Sequence, residues 1–505
     1  MVSKTYARFT ELVKNYWTYD SISSILQWDQ QVFMPRGGSD ARAVQSEAMG
    51  LLSHKVLVSK AMGNCIDTLY RNIDKLNKYQ QANVIETKII RDKKVNVPPE
   101  IVEELAKTKV KAYEIWKKAR EKSDFGSFAP TLEKLIELET KYAHAIDPTK
   151  NLYEVLFQEY EPSFPIKDVQ RIFENLKQGL VPIFKSIQQS SVSPNTGFLN
   201  HSYHPQKQMK FCELIVKKVG LDFNRARLDK TEHPFTVGFA PSDVRITTRF
   251  DKNDLRRSIF SSLHEGGHAM YEQGLPADYM FQTVGMYRSL GIHESQSRFY
   301  ENVIGRSLEF WENSFSELQK IFRKQLRGFS PQDFYQFVNE VKPGLIRTEA
   351  DEVGYNLHVL LRFEIENAFI NGELGVKEAP AVWNEKMRKY LGITPPNDRL
   401  GILQDVHWSS ENIGYFPTYT LGNLLMAQLQ NSMLKSIPDM KEQIREGKFD
   451  EINRWLRKNI HKKGRLLSTD KLIEKATGKT LNTDPFLQYL RSKYGNLYDF
   501  KFNLK

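Results

Sequence analysis

The chain has 505 residues, 40% hydrophobic and 26% charged, an ordinary globular composition. No run approaches about 18 uninterrupted apolar residues, so no membrane-spanning helix is expected, and two cysteines, Cys65 and Cys212, are too few for a disulfide framework. The net charge of +11 raises nucleic acid as a partner, but the basic residues fall in short separated groups (Lys117-Lys118, Lys217-Lys218, Arg256-Arg257, Lys462-Lys463), as on solvated helix faces, and no dedicated nucleic-acid site is expected.

Residues 1–8 lack the apolar core of a secretion signal, so a cytoplasmic protein with reduced, packed cysteines is expected. Apolar residues recur at three-and-four spacing over 100–122, 129–146, 166–190 and 205–219, and Pro98-Pro99 and Asp147-Pro148 punctuate the pattern. Residues 191–205, rich in Ser, Asn and His, form the longest expected loop. Residues 232–250 break the helical pattern. They are rich in Thr, Val, Ile and Phe and read as a β-hairpin around Ala240-Pro241-Ser242, with Asp243, Arg245 and Thr247 on one face and Val244 and Ile246 on the other. A helix follows: Asp251 and Asp254 offer caps, Leu255, Ile259, Leu263 and Met270 repeat at helical spacing, and Gly274 offers a stop. Further helices are expected over 311–327, 331–342 and 345–372. With no repeat and no Gly/Ser linker, the chain reads as one large, mainly α body.

The helix after the hairpin carries His264-Glu-Gly-Gly-His268, an HExxH motif. Residues four apart share a helix face, so both imidazoles can reach one ion. Glu265 stands beside that face, where a carboxylate can take a proton from a metal-activated water. A hydrolytic zinc site needs three protein ligands. The third lies in Gly291-Ile-His-Glu294, far enough on for a return helix; Glu294 gives the His₂Glu set, and its neighbour His293 is the rival. Gly266 and Gly267 each cost about 1 kcal/mol in mid-helix relative to alanine. They either let another backbone approach or are merely tolerated.

These residues belong to six ordered blocks. They are His233-Pro-Phe235, Asp243-Val-Arg-Ile-Thr247, His264-Glu-Gly-Gly-His268, His293-Glu-Ser-Gln296, Ile346-Arg-Thr-Glu-Ala-Asp351 and Gly401-Ile-Leu-Gln-Asp-Val-His-Trp408. In this the chain resembles the carboxypeptidase Taq family of zinc carboxypeptidases. Leu26-Gln-Trp-Asp-Gln30 and Gly414-Tyr-Phe-Pro-Thr-Tyr-Thr-Leu-Gly-Asn423 extend the likeness nearly end to end. The resemblance implies one peptidase domain over 1–505: a helical body with a long substrate groove, an HExxH helix and a small antiparallel sheet beside it. A helical N-terminal part, about 1–190, would cover the groove, and a metal-site part would span about 230–425. It also implies a homodimer that releases single C-terminal residues from peptides with broad specificity, using one zinc or cobalt ion per chain. Carried onto matching positions, the ligands are His264, His268 and Glu294, and the general base is Glu265.

For the remaining roles, Tyr419 is the expected oxyanion donor, with His407 and His233 as alternatives. A free α-carboxylate calls for arginine. Arg347 is the first choice, steadied by Asp351 four residues on along the same helix face; Arg245, flanked by Asp243 and Thr247, is the second. His293, Gln404 and Asp405 are expected to support the site, with Asp405 or Asp351 accepting the ligand imidazoles' free N–H. The competing readings are an HExxH endopeptidase or aminopeptidase and a non-catalytic peptide-binding protein on the same fold.

Overall fold

The computed structural model describes residues 2–162, 164–410 and 412–500. Apolar spacing of three and four residues makes helices nearly throughout, and their buried stripes merge into one extensive core that includes Phe184, Leu263, Trp311, Leu361 and Leu424. Helices between Val2 and Asn96 add a smaller core of their own around Phe9, Val13, Met62 and Leu69. The first of them, α1 (Val2–Val32), lies against the sheet: Trp28 meets Phe235 with ring centroids 5.4 Å apart, and Ser21 Oγ donates to the carbonyl of Phe239 at 3.0 Å.

Three strands form that sheet: β1 (Ala226–Lys230), β2 (Thr236–Ala240) and β3 (Asp243–Thr248), in the order β1-β3-β2. β2 and β3 are the expected antiparallel hairpin, but β1 pairs parallel to β3, so the sheet is mixed. β1 was invisible to pattern reading because Ala226-Arg-Leu-Asp-Lys230 is short and charged, with Leu228 its one buried side chain. Val244 and Ile246 are fully buried, which fixes the register of β3.

The motif helix, α2 (Leu255–Gly274), starts as expected, with Asp254 accepting from the Arg256 N–H at 2.9 Å. Its end differs from expectation. Gly274 is the last helical residue rather than a left-handed cap, and the chain leaves the helix at Leu275, held extended (ψ 155°) by the proline that follows. α3 (Leu290–Arg298) returns alongside α2 and continues into a widened π-turn, Phe299–Ile304. The helix expected over 345–372 is shorter, α4 (Gly354–Ile370): Arg347–Glu349 makes a separate 3₁₀ turn, and Asp351 caps α4 by accepting from the Val353 and Gly354 N–H groups at 3.0 and 2.8 Å. The helix expected over 311–327 ends at Ile321. α5 (Pro417–Ser436) packs against α3 and completes the frame around the site. Among the described residues, no helix is long and apolar enough to cross a membrane.

Candidate metal centre and groove

α2 and α3 bring His264, His268 and Glu294 together, one donor atom of each within 4.8 Å of the others. Glu294 Oε2 lies 3.5 Å from Nε2 of both histidines. The helices can approach this closely because residue 267 has no side chain. A Cβ there would sit 2.6 Å from the Gln296 carbonyl oxygen and 2.7 Å from Ser297 Cα. At Gly266 the nearest atom would be Val216 Cγ1 at 3.3 Å, a side chain that can yield. Gly422 of α5 has a similar role behind Glu294, whose Cγ lies 2.5 Å from the position of a Cβ. Of the two mid-motif glycines, Gly267 is therefore the one that the close approach requires.

Both imidazoles are oriented from behind. His264 Nδ1 meets Glu301 Oε2 at 2.9 Å, and His268 Nδ1 meets His293 Nδ1 at 2.6 Å. His293 in turn reaches Glu272 through Nε2 at 2.8 Å. The acceptors expected from sequence, Asp405 and Asp351, do not touch the ligand imidazoles: the first is committed to arginines and the second to the start of α4. With the Nδ1 atoms engaged, each Nε2 is left facing Glu294. Arg298, one turn past Glu294, donates to it at 2.7 Å and to Glu301 at 3.1 Å.

The electrostatics suit a cation. Burial holds the His268 imidazole down to about 3, so it is neutral, the state in which histidine ligates. Burial also pushes the His264 imidazole down, but the Glu294 and Glu301 carboxylates more than offset that. Burial would raise the Glu294 carboxyl; Arg298 and His264 hold it far below the usual carboxylate range. Two imidazole nitrogens and one ionised carboxylate, each fixed from behind, fit one divalent ion. Glu265 sits beside them, 7% exposed, its Oε2 accepting from Thr236 Oγ1 of β2 at 2.6 Å. Burial raises its carboxyl above the ordinary range.

A second cluster centres on Arg347, which is 4% exposed. Asp351 does not hold it. Asp405 Oδ1 accepts from its Nε and Nη2 at 3.1 and 2.8 Å, and the Tyr355 hydroxyl accepts from Nη1 at 2.9 Å. Asp405 is shared with Arg362, whose Nε donates to Oδ2 at 2.7 Å, so two guanidiniums face one carboxylate. Gln404 Oε1 takes the Arg347 backbone N–H at 2.9 Å. Tyr355 joins the two clusters: the Arg298 guanidinium lies 4.5 Å from its ring centroid, and Arg347 bonds its hydroxyl. Tyr419 lies against Arg347, 5.0 Å from guanidinium to ring, and its hydroxyl is 3.3 Å from His407 Nε2. Burial keeps the Tyr419 phenol protonated and lowers His407 to about 3, with Arg347 adding to the latter.

Among the described residues, three sequence candidates make no hydrogen bond, ion pair or ring contact with either cluster. Arg245 is paired with Asp243 through two hydrogen bonds of 2.9–3.0 Å and packs over Phe239 and Trp28, tying α1 to the sheet. His233 is exposed in the loop before β2. Sequence reasoning missed Glu301, Thr236, Arg362 and Tyr355. Of these, Glu301 alone left a trace, lying seven residues after Glu294 and so on the same helical face.

The sequence pattern of the carboxypeptidase Taq (M32) metallopeptidase family matches residues 8–494. "Carboxypeptidase 1" of Bacillus subtilis is 37% identical over 493 residues, covering 97% of this chain and 98% of its own length. "Thermostable carboxypeptidase 1" of Pyrococcus furiosus is 38% identical over 487 residues, covering 95% and 96%. The solved structure of the M32 carboxypeptidase from Deinococcus radiodurans R1 superposes with a TM-score of 0.96 at 35% identity, over 98% of this chain and 100% of that one. The chain belongs to the carboxypeptidase Taq (M32) family and is a metallocarboxypeptidase.

Proposed function

We propose that the enzyme releases single residues from the C-termini of peptides with broad side-chain specificity. The observation that carries this reading is the pairing of a three-ligand cluster having a built-in base with a buried, cation-rich cluster next to it, joined through Tyr355. His264, His268 and Glu294 would hold one divalent ion. Zinc is the best match to a His₂Glu set and cobalt the alternative; when bound, the ion polarises the scissile carbonyl and acidifies water. Glu265, steadied by Thr236, takes a proton from the attacking water as its oxygen bonds to the carbonyl carbon, then passes that proton to the leaving amine as the C–N bond breaks. The Tyr419 hydroxyl donates to the developing oxyanion, with His407 keeping that hydroxyl in place.

Arg347 takes the free α-carboxylate. Its pair with Asp405 is shared with Arg362, leaving an excess of positive charge in a buried place. Because these groups address backbone atoms of the substrate, they leave the released side chain unconstrained. A cytoplasmic homodimer completes the reading. Hydrolysis of a blocked dipeptide with a free C-terminus, compared with its C-terminal amide, tests it. The free acid should be cleaved far faster, with one amino acid released per event. Equal cleavage of long amidated peptides at internal bonds would overturn it in favour of an endopeptidase.

A further inference from the structure

Between α1, the edge strand β2, the last turn of α2 and residues 275–286 lies a shallow pocket, open to solvent, with a cavity volume of about 40 Å³. Its walls are mostly apolar, with Trp17, Phe239, Leu275 and Met286 prominent among them. Two carboxylates interrupt that pattern, Asp20 of α1 and Glu272 of α2. Glu272 is 8% exposed; Oε1 is engaged by His293 at 2.8 Å, and Oε2 has no hydrogen-bond partner among the described residues. Oε2 fills the space beside Gly238 on the pocket wall, where a Cβ would lie 2.6 Å from it. Asp20 lends its backbone carbonyl to Ser24 Oγ, but its carboxylate has neither hydrogen bond nor ion pair among the described residues, and burial pushes its carboxyl up. A half-buried carboxylate such as that of Asp20, without a partner, is costly unless something cationic arrives to meet it.

The pocket's position says which part of a substrate would meet it. β2 runs along α2 so that Thr236 bonds Glu265 and Gly238 abuts Glu272. Seven helical residues span about 10 Å, and an extended peptide advances about 3.3 Å per residue, so the pocket lies about three residues from where Glu265 acts. Arg347 is reached from Glu294 through Arg298 and Tyr355, whereas the pocket is reached from His268 through His293 and Glu272. The two are thus linked to different ligands of the cluster. With the C-terminal carboxylate at Arg347, the pocket faces the N-terminal side of the cleaved bond.

We propose that this pocket is a substrate subsite for a cationic group two or three residues ahead of the cleaved bond, held by Asp20 with Glu272 behind it. The group is a Lys or Arg side chain, whose apolar stem the walls would cover, or the free α-ammonium of a short peptide. This rests on the carboxypeptidase reading for the direction of the substrate, so the test separates the two. Lys, norleucine or Glu is walked through the four residues ahead of the cleaved bond in acetylated pentapeptides with a free C-terminus, and kcat/KM ratios are compared. A Lys-over-norleucine ratio of about tenfold or more, the scale of a charge-assisted hydrogen bond, should peak at the second or third residue. Asp20→Asn should bring it near one, Asp20→Glu should keep it, and Asp20→Lys should turn it towards Glu. Unacetylated tripeptides show whether a terminal ammonium is taken as well. Calorimetric binding of the same peptides to the Glu265→Gln protein reads the preference without turnover. If no peptide is hydrolysed but that binding preference appears and depends on Asp20, the activity reading fails and the subsite stands. A ratio near one at every position, or one indifferent to all three Asp20 substitutions, overturns the subsite.

Discussion

Gly267→Ala is the substitution for which the geometry makes the least obvious demand. The new Cβ would lie 2.6 Å from a backbone oxygen and 2.7 Å from a Cα of the facing helix, against an ordinary contact of about 3.5 Å. Neither atom belongs to a side chain that can rotate away, so α2 and α3 must separate by somewhat less than about 1 Å. Overpacking of this kind costs about 1–3 kcal/mol, and alanine returns about 1 kcal/mol of helix propensity, so the net loss of stability is only about 0–2 kcal/mol. The effect on the ligand cluster is larger, because His264 and His268 ride on α2 and Glu294 on α3. Ligand distances tolerate about 0.2 Å, several times less than the expected separation. Metal affinity should fall by about 10- to 100-fold or more, the range seen when ligand orientation is lost. Competition with a chromophoric chelator measures that affinity, and melting of the metal-free protein measures stability. Gly266→Ala is the control: its Cβ meets one yielding valine methyl at 3.3 Å, and it should bind metal normally. Unchanged affinity in Gly267→Ala, or equal damage from both substitutions, would refute the close-approach argument.

Other expectations follow from the same geometry. Glu265→Gln keeps the shape and loses the proton acceptor, so kcat should drop by about 10² or more with metal retained; near-normal turnover would place the base elsewhere. Glu301→Gln weakens the hold on His264 and on Arg298, and titration of the metal-free protein should show affinity lower by about tenfold or more. An unchanged affinity would mean that Glu301 merely packs. Amidating a substrate's C-terminus should cost about 2–4 kcal/mol of transition-state stabilisation, and Arg347→Ala should remove most of that difference. Asp405 keeps Arg362 as a partner in that variant, so the fold should tolerate it. A penalty that survives Arg347→Ala but vanishes in Arg245→Ala would move the anchor to the sheet.

What could be read in advance depended on how local the cause was. His264, Glu265 and His268 are set by helix periodicity alone, and the hairpin by its alternating residues and turn, so both were legible. The choice between His293 and Glu294 was open to spacing, since neighbours differ only in which way the helix faces, and only the family resemblance assigned Glu294; in the fold, Gly267 lets α3 in close enough for Glu294 to face both imidazoles, while His293 stands behind His268. Asp351 looked like the partner of Arg347 because a continuous helix would put them on one face. The 3₁₀ turn at Arg347–Glu349 breaks that helix, freeing Asp351 to cap α4 and leaving Arg347 to Asp405, 58 residues away. The contacts missed from sequence, Thr236 to Glu265 and Arg362 to Asp405, join residues 29 and 43 apart. No periodicity records such pairs; they exist only once the helices are packed.

The central claim is that His264, His268 and Glu294 hold the ion on which hydrolysis depends. Metal analysis of the purified protein, with activity followed through chelation and reconstitution, tests it most directly. About one divalent ion per chain should be found, hydrolysis should vanish with its removal and return with zinc or cobalt, and Glu294→Ala should bind none. Full activity after exhaustive chelation, with no metal detectable, would contradict the account.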